Sequence, residues 1–327
     1  MIKRFADPEL IFSEHAVFFR THELSKKNPL RTKLDNYDRD IENPYPHMML
    51  QDVVNKVIPY ACKGKYKFYL DATDELAEFQ LAAALGNSDS SLTDGLESFM
   101  RHCAHYLMQY QEAFYDIIIS RDQNGSLVSF ELQIIPPLTV KKRFWKWVQY
   151  IPDEITRENE VARRVVLPKE YLVIFRLPSN LRNIVRRALK NLQLVGKIET
   201  PDFVRASWRG EHRVSYDQTD LKRSQRLALA EATKDIGWSG RNYFSDEVLE
   251  FYELDRYARF SFFTASLRQF ILSTLNSELA RVGKGLGFEG QIKVSGLVEP
   301  HTIKNIREEL HNGTKPLNTI FSALLGC

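Results

Sequence analysis

The stretch Tyr110-Gln111-Glu112-Ala113-Phe114-Tyr115-Asp116-Ile117, running on through Ile118-Ile119-Ser120 to the tip Arg121-Asp122-Gln123-Asn124-Gly125, decides how this chain is read. Phe114 to Ser120 is dominated by aromatic and β-branched residues, which favour an extended strand. Asn-Gly is the strongest short hairpin signal, because both residues accept the positive φ angles that a tight hairpin turn needs. Ser126 to Ile135 then alternates apolar and polar positions and is expected to return as an antiparallel strand, ended by Pro136-Pro137.

Outward from this hairpin, Leu96 to Gln111 is expected to be a helix, with Leu96, Phe99, Met100, Cys103, Leu107 and Tyr110 on one apolar stripe. On the other side, Lys146 to Ile151 and Tyr171 to Phe175 read as strands, the second after Leu167-Pro168-Lys169-Glu170. The expected arrangement is a β-meander flanked by a helix. Further upstream, residues 1–50 read as an extended arm with turns at Asn28-Pro29 and Asn43-Pro44-Tyr45-Pro46. A helix over Met48 to Ala61, a strand over Tyr66 to Leu70 and a helix over Asp71 to Leu85 complete the first half.

Beyond Pro178 the pattern changes from strands to helices. Leu181, Ile184, Val185, Ala188, Leu189 and Leu192 share one helical face, and Arg182, Arg186, Lys190 and Lys197 lie opposite. Residues 198–216 read as irregular or short β, and Leu221 to Ile236 as a helix stopped by Gly237. Ser245 is a good N-cap, and no Pro or Gly interrupts the chain from there to Val282, which predicts a helix roughly 55 Å long ended by Gly283. Its many aromatic residues require packing on most sides, within the subunit or against another. A strand over Gln291 to Val294 and helices over Thr302 to Leu310 and Leu317 to Leu325 close the chain. The fold class is therefore α+β, with a helix-rich second half and one very long helix. Four consecutive segments are expected: 1–50, 51–178, 179–242 and 243–327.

Composition excludes several classes. The 327 residues are 43% apolar and 27% charged, with 45 Lys+Arg against 42 Asp+Glu, so neither a polybasic tail nor an acidic disordered coil is in view. Cys62, Cys103 and Cys327 are too few for a disulfide framework and form no CxxC pair, and the chain reads as cytoplasmic. Charges near Met1 leave no uncharged stretch long enough for a secretory signal, and no window approaches the roughly 18 apolar residues of a membrane helix.

The patterns that suggest chemistry are mostly explained by structure. His102 and His105 stand at a spacing that puts two imidazoles on one helix face, but no third metal ligand accompanies them. Gly285-x-Gly287-x-x-Gly290 matches a dinucleotide fingerprint in the wrong context, since it follows a helix and precedes a strand. Asp71, Asp74 and Glu75 read as an acidic helix start. No nucleophile motif or phosphate-binding loop is found, so no enzyme, metal or cofactor is expected.

One asymmetry remains. Residues 163–213 carry twelve Lys/Arg and four Asp/Glu, a local field that attracts polyanions. Arg182, Arg186, Arg187 and Lys190 on the basic helix, with Lys141-Lys142-Arg143 beside Phe144, Trp145 and Trp147, are the candidates to face DNA.

The segment Gly95 to Pro178 resembles the core of tailed-phage portal proteins. The residues that carry the likeness are the helix running into Tyr110 to Ile117, the tip Arg121 to Gly125, and Leu132-Gln133-Ile134-Ile135-Pro136-Pro137-Leu138-Thr139-Val140. It continues through Gln149-Tyr150 and Leu167 to Phe175, and Glu308 to Gly326 is similar to the helical end of a portal core. The resemblance implies a non-enzymatic ring of identical subunits, commonly twelve, at a capsid vertex of the virion. It would be assembled in the host cytoplasm and conduct double-stranded DNA during packaging and ejection. Capsid protein, terminase and a head–tail adaptor would be its partners, with no membrane. Trp145, Trp147, Phe251, Tyr252, Phe260 and Phe263 are then the candidates for subunit contacts. The alternative is a nucleic-acid-binding module acting through residues 163–213.

Overall fold

The computed structural model describes residues 11–20, 23–31, 43–59, 62, 64–71, 75–85, 91–121, 123–124, 127–199, 226–240, 250–286 and 290–325. The α+β class holds. The chain forms two compact units, each drawn from three separate stretches: Met1–Asp35, Tyr66–Arg176 and Phe270–Ser295 in the first, and Asn36–Lys65, Leu177–Gln269 and Gly296–Cys327 in the second. These interleave along the chain, whereas consecutive segments were expected. The physical reason is pairing between remote stretches, which no local signal announces.

The first unit is built around β3 (Glu112–Arg121), whose residues Ala113 to Ser120 are all buried. A strand covered on both faces carries a near-continuous apolar run, which Phe114 to Ile119 supplies with the single charged interruption of Asp116. β4 (Leu127–Ile134) pairs with it antiparallel from Tyr115↔Ile134 to Arg121↔Leu127, with a register shift beside the tip. On the opposite edge, β8 (Leu172–Arg176) pairs with Glu112 to Asp116 and β1 (Ile11–Ser13) with Ile119 to Arg121. The next three strands after Pro137 do not extend this sheet: β5 (Val140–Arg143), β6 (Lys146–Tyr150) and β7 (Arg164–Leu167) form their own antiparallel sheet. The expected meander is thus two sheets, because Pro136-Pro137 and Leu138, at φ +67°, turn the chain away. Between β6 and β7 lies a short helix, Asp153–Asn159.

Two helices of the first unit precede β3, α2 (Glu75–Ala84) and α3 (Leu92–Tyr110), whereas α1 (Tyr45–Val57) belongs to the second unit. Ser91 caps α3 by accepting from the Asp94 N–H. Its buried stripe, Leu96, Phe99, Met100, Cys103 and Leu107, lies against the sheet, with the Phe99 ring 5.1 Å from Tyr115 and 5.8 Å from Phe175. Each such fully buried side chain contributes about 1.5–3 kcal/mol. Gln111 ends α3 in the left-handed conformation, φ +66°, and its N–H donates to the Leu107 carbonyl, so helix passes to strand within one residue. β2 (Lys67–Leu70) pairs with β9 (Ile292–Ser295) in this unit.

The N-terminal arm is fastened by buried polar groups. Asp116 Oδ2 accepts the N–H groups of His15 and Ala16 at 2.9 and 3.0 Å, and the His15 ring stacks on Tyr171. Gln149 accepts from the Val17 N–H at 2.8 Å and donates to the Val17 carbonyl at 2.7 Å. Burial pushes the Asp116 carboxyl upward while those backbone donors pull against it.

In the second unit, α5 (Ser179–Glu199) buries Val185, Ala188 and Leu192. The short helix 153–159 is α4, and the long helix, α6 (Glu250–Leu286), contributes its residues up to Gln269 here and those from Phe270 to the first unit. It passes the expected stop at Gly283, an interior glycine costing only about 1 kcal/mol relative to alanine. Leu254, Ala258 and Ala265 pack with Ile303, Ile306 and Leu310 of α7 (Pro300–Asn312) and Ile320 and Leu324 of α8 (Leu317–Leu325). Asp255, buried, meets Arg259 and Arg307 at 2.6 Å and His311 at 2.9 Å; burial alone would raise its carboxyl, but these donors hold it below the usual range.

The buried Arg256 guanidinium holds the segment after helical residues 226–232, donating to Ser239 Oγ at 3.0 Å, to the Ala230 carbonyl at 2.9 Å and to the Trp238 carbonyl. Gly237, at φ +83°, is required there, since a Cβ would collide with the Arg256 carbonyl and come within 2.6 Å of the Arg259 Cβ. The expected N-cap Ser245, the Asn-Gly tip's Gly125 and most of 198–216 lie outside the described residues. Cys103 is buried with a free thiol, while Cys62 is buried and disulfide-bonded, which the cysteine count did not anticipate.

Candidate nucleic-acid interface

Two sets of cations were singled out from the sequence, and each unit carries one. In the first unit, the β5–β6 ladder pairs Val140↔Gln149, Lys141↔Val148, Lys142↔Trp147 and Arg143↔Lys146. That register leaves Phe144-Trp145 as a two-residue loop. Such loops favour Asn or Gly where φ is positive, yet Phe144 occupies the position at φ +52°. The two rings project into solvent, 89% and 81% exposed, and sit 5.9 Å apart.

Alternation then separates the strand residues. Trp147 points inward, against Phe114 at 5.4 Å, and joins a core of Ile135, Val140, Leu167 and Leu172. Lys141, Arg143 and Lys146 share the outward face with Tyr150 of β6 and with Arg164 and Val166 of β7, as the pairs Tyr150↔Arg164 and Val148↔Val166 require. The Arg143 Nε donates to the Tyr150 hydroxyl at 3.0 Å, and Lys141 and Arg164 lie 5.5 and 5.6 Å from its ring centre. Lys142 takes the other face, 5.9 Å from the Trp147 ring. All four cations from Lys141 to Lys146 are exposed. A cleft of about 190 Å³ in the same unit is lined by Tyr106, Tyr110, Leu138 and Lys141 among others.

In the second unit, Arg182, Arg186 and Lys190 follow one another at four-residue spacing along α5, Arg182 half-buried and the other two exposed. Arg187 is exposed and paired with Asp235 at 2.9 Å. The hairpin and helix are described within separate units, so they are two candidate surfaces.

The subunit-contact candidates divide. Trp147 and Phe263 are buried, at 9% and 3% exposure, inside their own units and are not offered to a partner. Phe260 is half-buried. Trp145, Phe251 and Tyr252 are exposed, with Phe251 edge-on to His311 and Tyr252 near the Arg256 guanidinium. Of the set-aside motifs, His102 is exposed beside Ser98, His105 packs edge-on to Tyr106, and Asp71 pairs with Lys293 at 2.5 Å. Among the described residues no group of three His, Cys, Asp or Glu gathers as a metal site. No helix among the described residues is long and apolar enough to cross a membrane.

What sequence reasoning missed is that Arg164 and Tyr150 belong with the hairpin cations. Their signal was weak, since Arg164-Val165-Val166-Leu167 is short and reads as the end of a charged loop. No protein-family model matches the chain, and no curated protein matches it.

Proposed function

We propose that this protein is a non-enzymatic, ring-forming subunit of the portal type, a channel for double-stranded DNA and a platform for head–tail attachment at a virion vertex. The observation that carries this reading is the way the portal-like segment folds. α3 passes through Gln111 directly into β3, β4 returns along one edge, and β8 closes the other edge after an excursion through a small sheet. Gly95 to Arg176, the main part of the stretch that carries the sequence likeness, therefore lies within the first unit. Exposed aromatics on the first turn of the described part of α6, Phe251 and Tyr252, suit contacts between copies. Capsid protein, terminase and an adaptor are the partners this reading requires.

Negative-stain imaging and mass measurement of the purified full chain test it. Closed rings of identical subunits are expected; a single subunit at every concentration and salt condition overturns it. A second reading, a nucleic-acid-binding module acting without a ring, is favoured by the exposed cations on the hairpin and on α5. It predicts polyanion binding by the isolated subunit that weakens steeply with salt.

A further inference from the structure

We infer that the outward face of the β5–β6–β7 sheet, with the Phe144-Trp145 loop at its end, is a binding surface for single-stranded nucleic acid. This requires neither a ring nor a duplex channel. The argument starts from charge. Lys141, Arg143, Lys146 and Arg164 share that face, and no strand of the sheet contains a single Asp or Glu. Several exposed arginines elsewhere have carboxylate partners, as in Arg163–Asp153 at 3.1 Å, Arg176–Glu112 at 2.7 Å and Arg187–Asp235 at 2.9 Å. Among the described residues, none of the four cations on this face makes such a pair. A face of one sign, left uncompensated, is complementary to a polyanion.

The aromatic residues decide which polyanion. Phe144 and Trp145 are the most exposed large apolar side chains among those described, and they occupy a turn that other residues would fill with less strain. Rings held in water beside cations gain by stacking on flat apolar partners. In a duplex the base faces are already stacked and only edges are displayed, whereas every base of a single strand offers a free face. An anionic bilayer would also accept two aromatic residues and nearby cations. However, the charge does not encircle the tip: it runs along one face from Lys146 to the Tyr150↔Arg164 pair, about 13 Å at strand spacing. A bilayer meeting the tip leaves that charge behind, while a strand laid along the face meets both.

The full-length protein is titrated, by fluorescence anisotropy, into a labelled oligothymidylate of about 12 nucleotides, an oligouridylate of that length and a mixed-sequence duplex. Sedimentation with phosphatidylserine vesicles supplies the membrane arm. Two variants are compared, Phe144→Ser/Trp145→Ser and Lys141→Gln/Arg143→Gln/Lys146→Gln, all at exposed positions. The expected result is single-strand binding at least about tenfold tighter than duplex binding, with the aromatic variant losing about tenfold or more for the single strand alone. The charge variant should flatten the slope of log affinity against log salt by about 2. Binding of either single strand supports the inference, and the preference between them assigns DNA or RNA. Equal or tighter duplex binding, an aromatic variant with unchanged single-strand affinity, or binding to vesicles alone overturns it.

Discussion

The β5–β6 hairpin and helix α5 are both basic and both stand on apolar supports, but they differ in what surrounds their charges. On the hairpin, strand alternation puts Lys141, Arg143 and Lys146 on one face with a tyrosine and leaves two aromatic rings at the tip. On α5, one cation, Arg187, is engaged by Asp235, and the long apolar face is spent on the core. Equal numbers of cations therefore do not make equal surfaces. A helix spreads its charges over a broad arc with room for acids to meet them, while a strand segregates side chains strictly by parity.

The sharpest test of this contrast lies beneath the hairpin. Trp147→Ala should cost about 3–5 kcal/mol in chemical denaturation, because it empties the core against Phe114 and Leu167. Trp145→Ala, two residues earlier, should change stability by no more than about 0.5 kcal/mol. Similar losses for the two would mean that the loop rings are packed and the hairpin surface has been misassigned.

Next in size is a matched pair of charge reversals. Lys141→Glu/Arg143→Glu/Lys146→Glu should weaken single-strand binding by about 100-fold at low salt, and Arg182→Glu/Arg186→Glu/Lys190→Glu by a few-fold, measured by the same anisotropy titration. The opposite order would transfer the binding surface to the helix. The smallest effect belongs to the Arg187–Asp235 pair: Arg187→Ala should shift stability by about 1 kcal/mol or less, since both partners are substantially exposed. A larger loss, seen in urea unfolding, would make α5 a structural element whose charges hold the unit together.

Much of the first unit was readable from local pattern. The β3–β4 hairpin, the α3 stripe and β8 are found where alternation and 3.6-residue spacing place them. β5 and β7 were not, because Val140-Lys141-Lys142-Arg143 shows no apolar alternation and becomes a strand only through its partner. The two tryptophans of the hairpin looked alike in sequence; a two-residue turn takes Trp145 out of the pleat while Trp147 stays in it. Asp116 had no legible role, since the groups it holds lie 101 and 100 residues away.

By itself, then, the sequence determined the α+β class, the central hairpin, the helix-rich second half and the basic bias of residues 163–213, since these follow from periodicity, turn chemistry and composition acting over a few residues. Only the tertiary structure decided that β8 and β1 flank β3, that the N-terminal arm is fastened to Asp116 and Gln149, and that Arg164 and Tyr150 join the hairpin cations. Each of those outcomes depends on backbone pairing or burial between residues remote in the chain, and hydrogen-bonding partners of that kind are chosen by the packed core and leave no local trace.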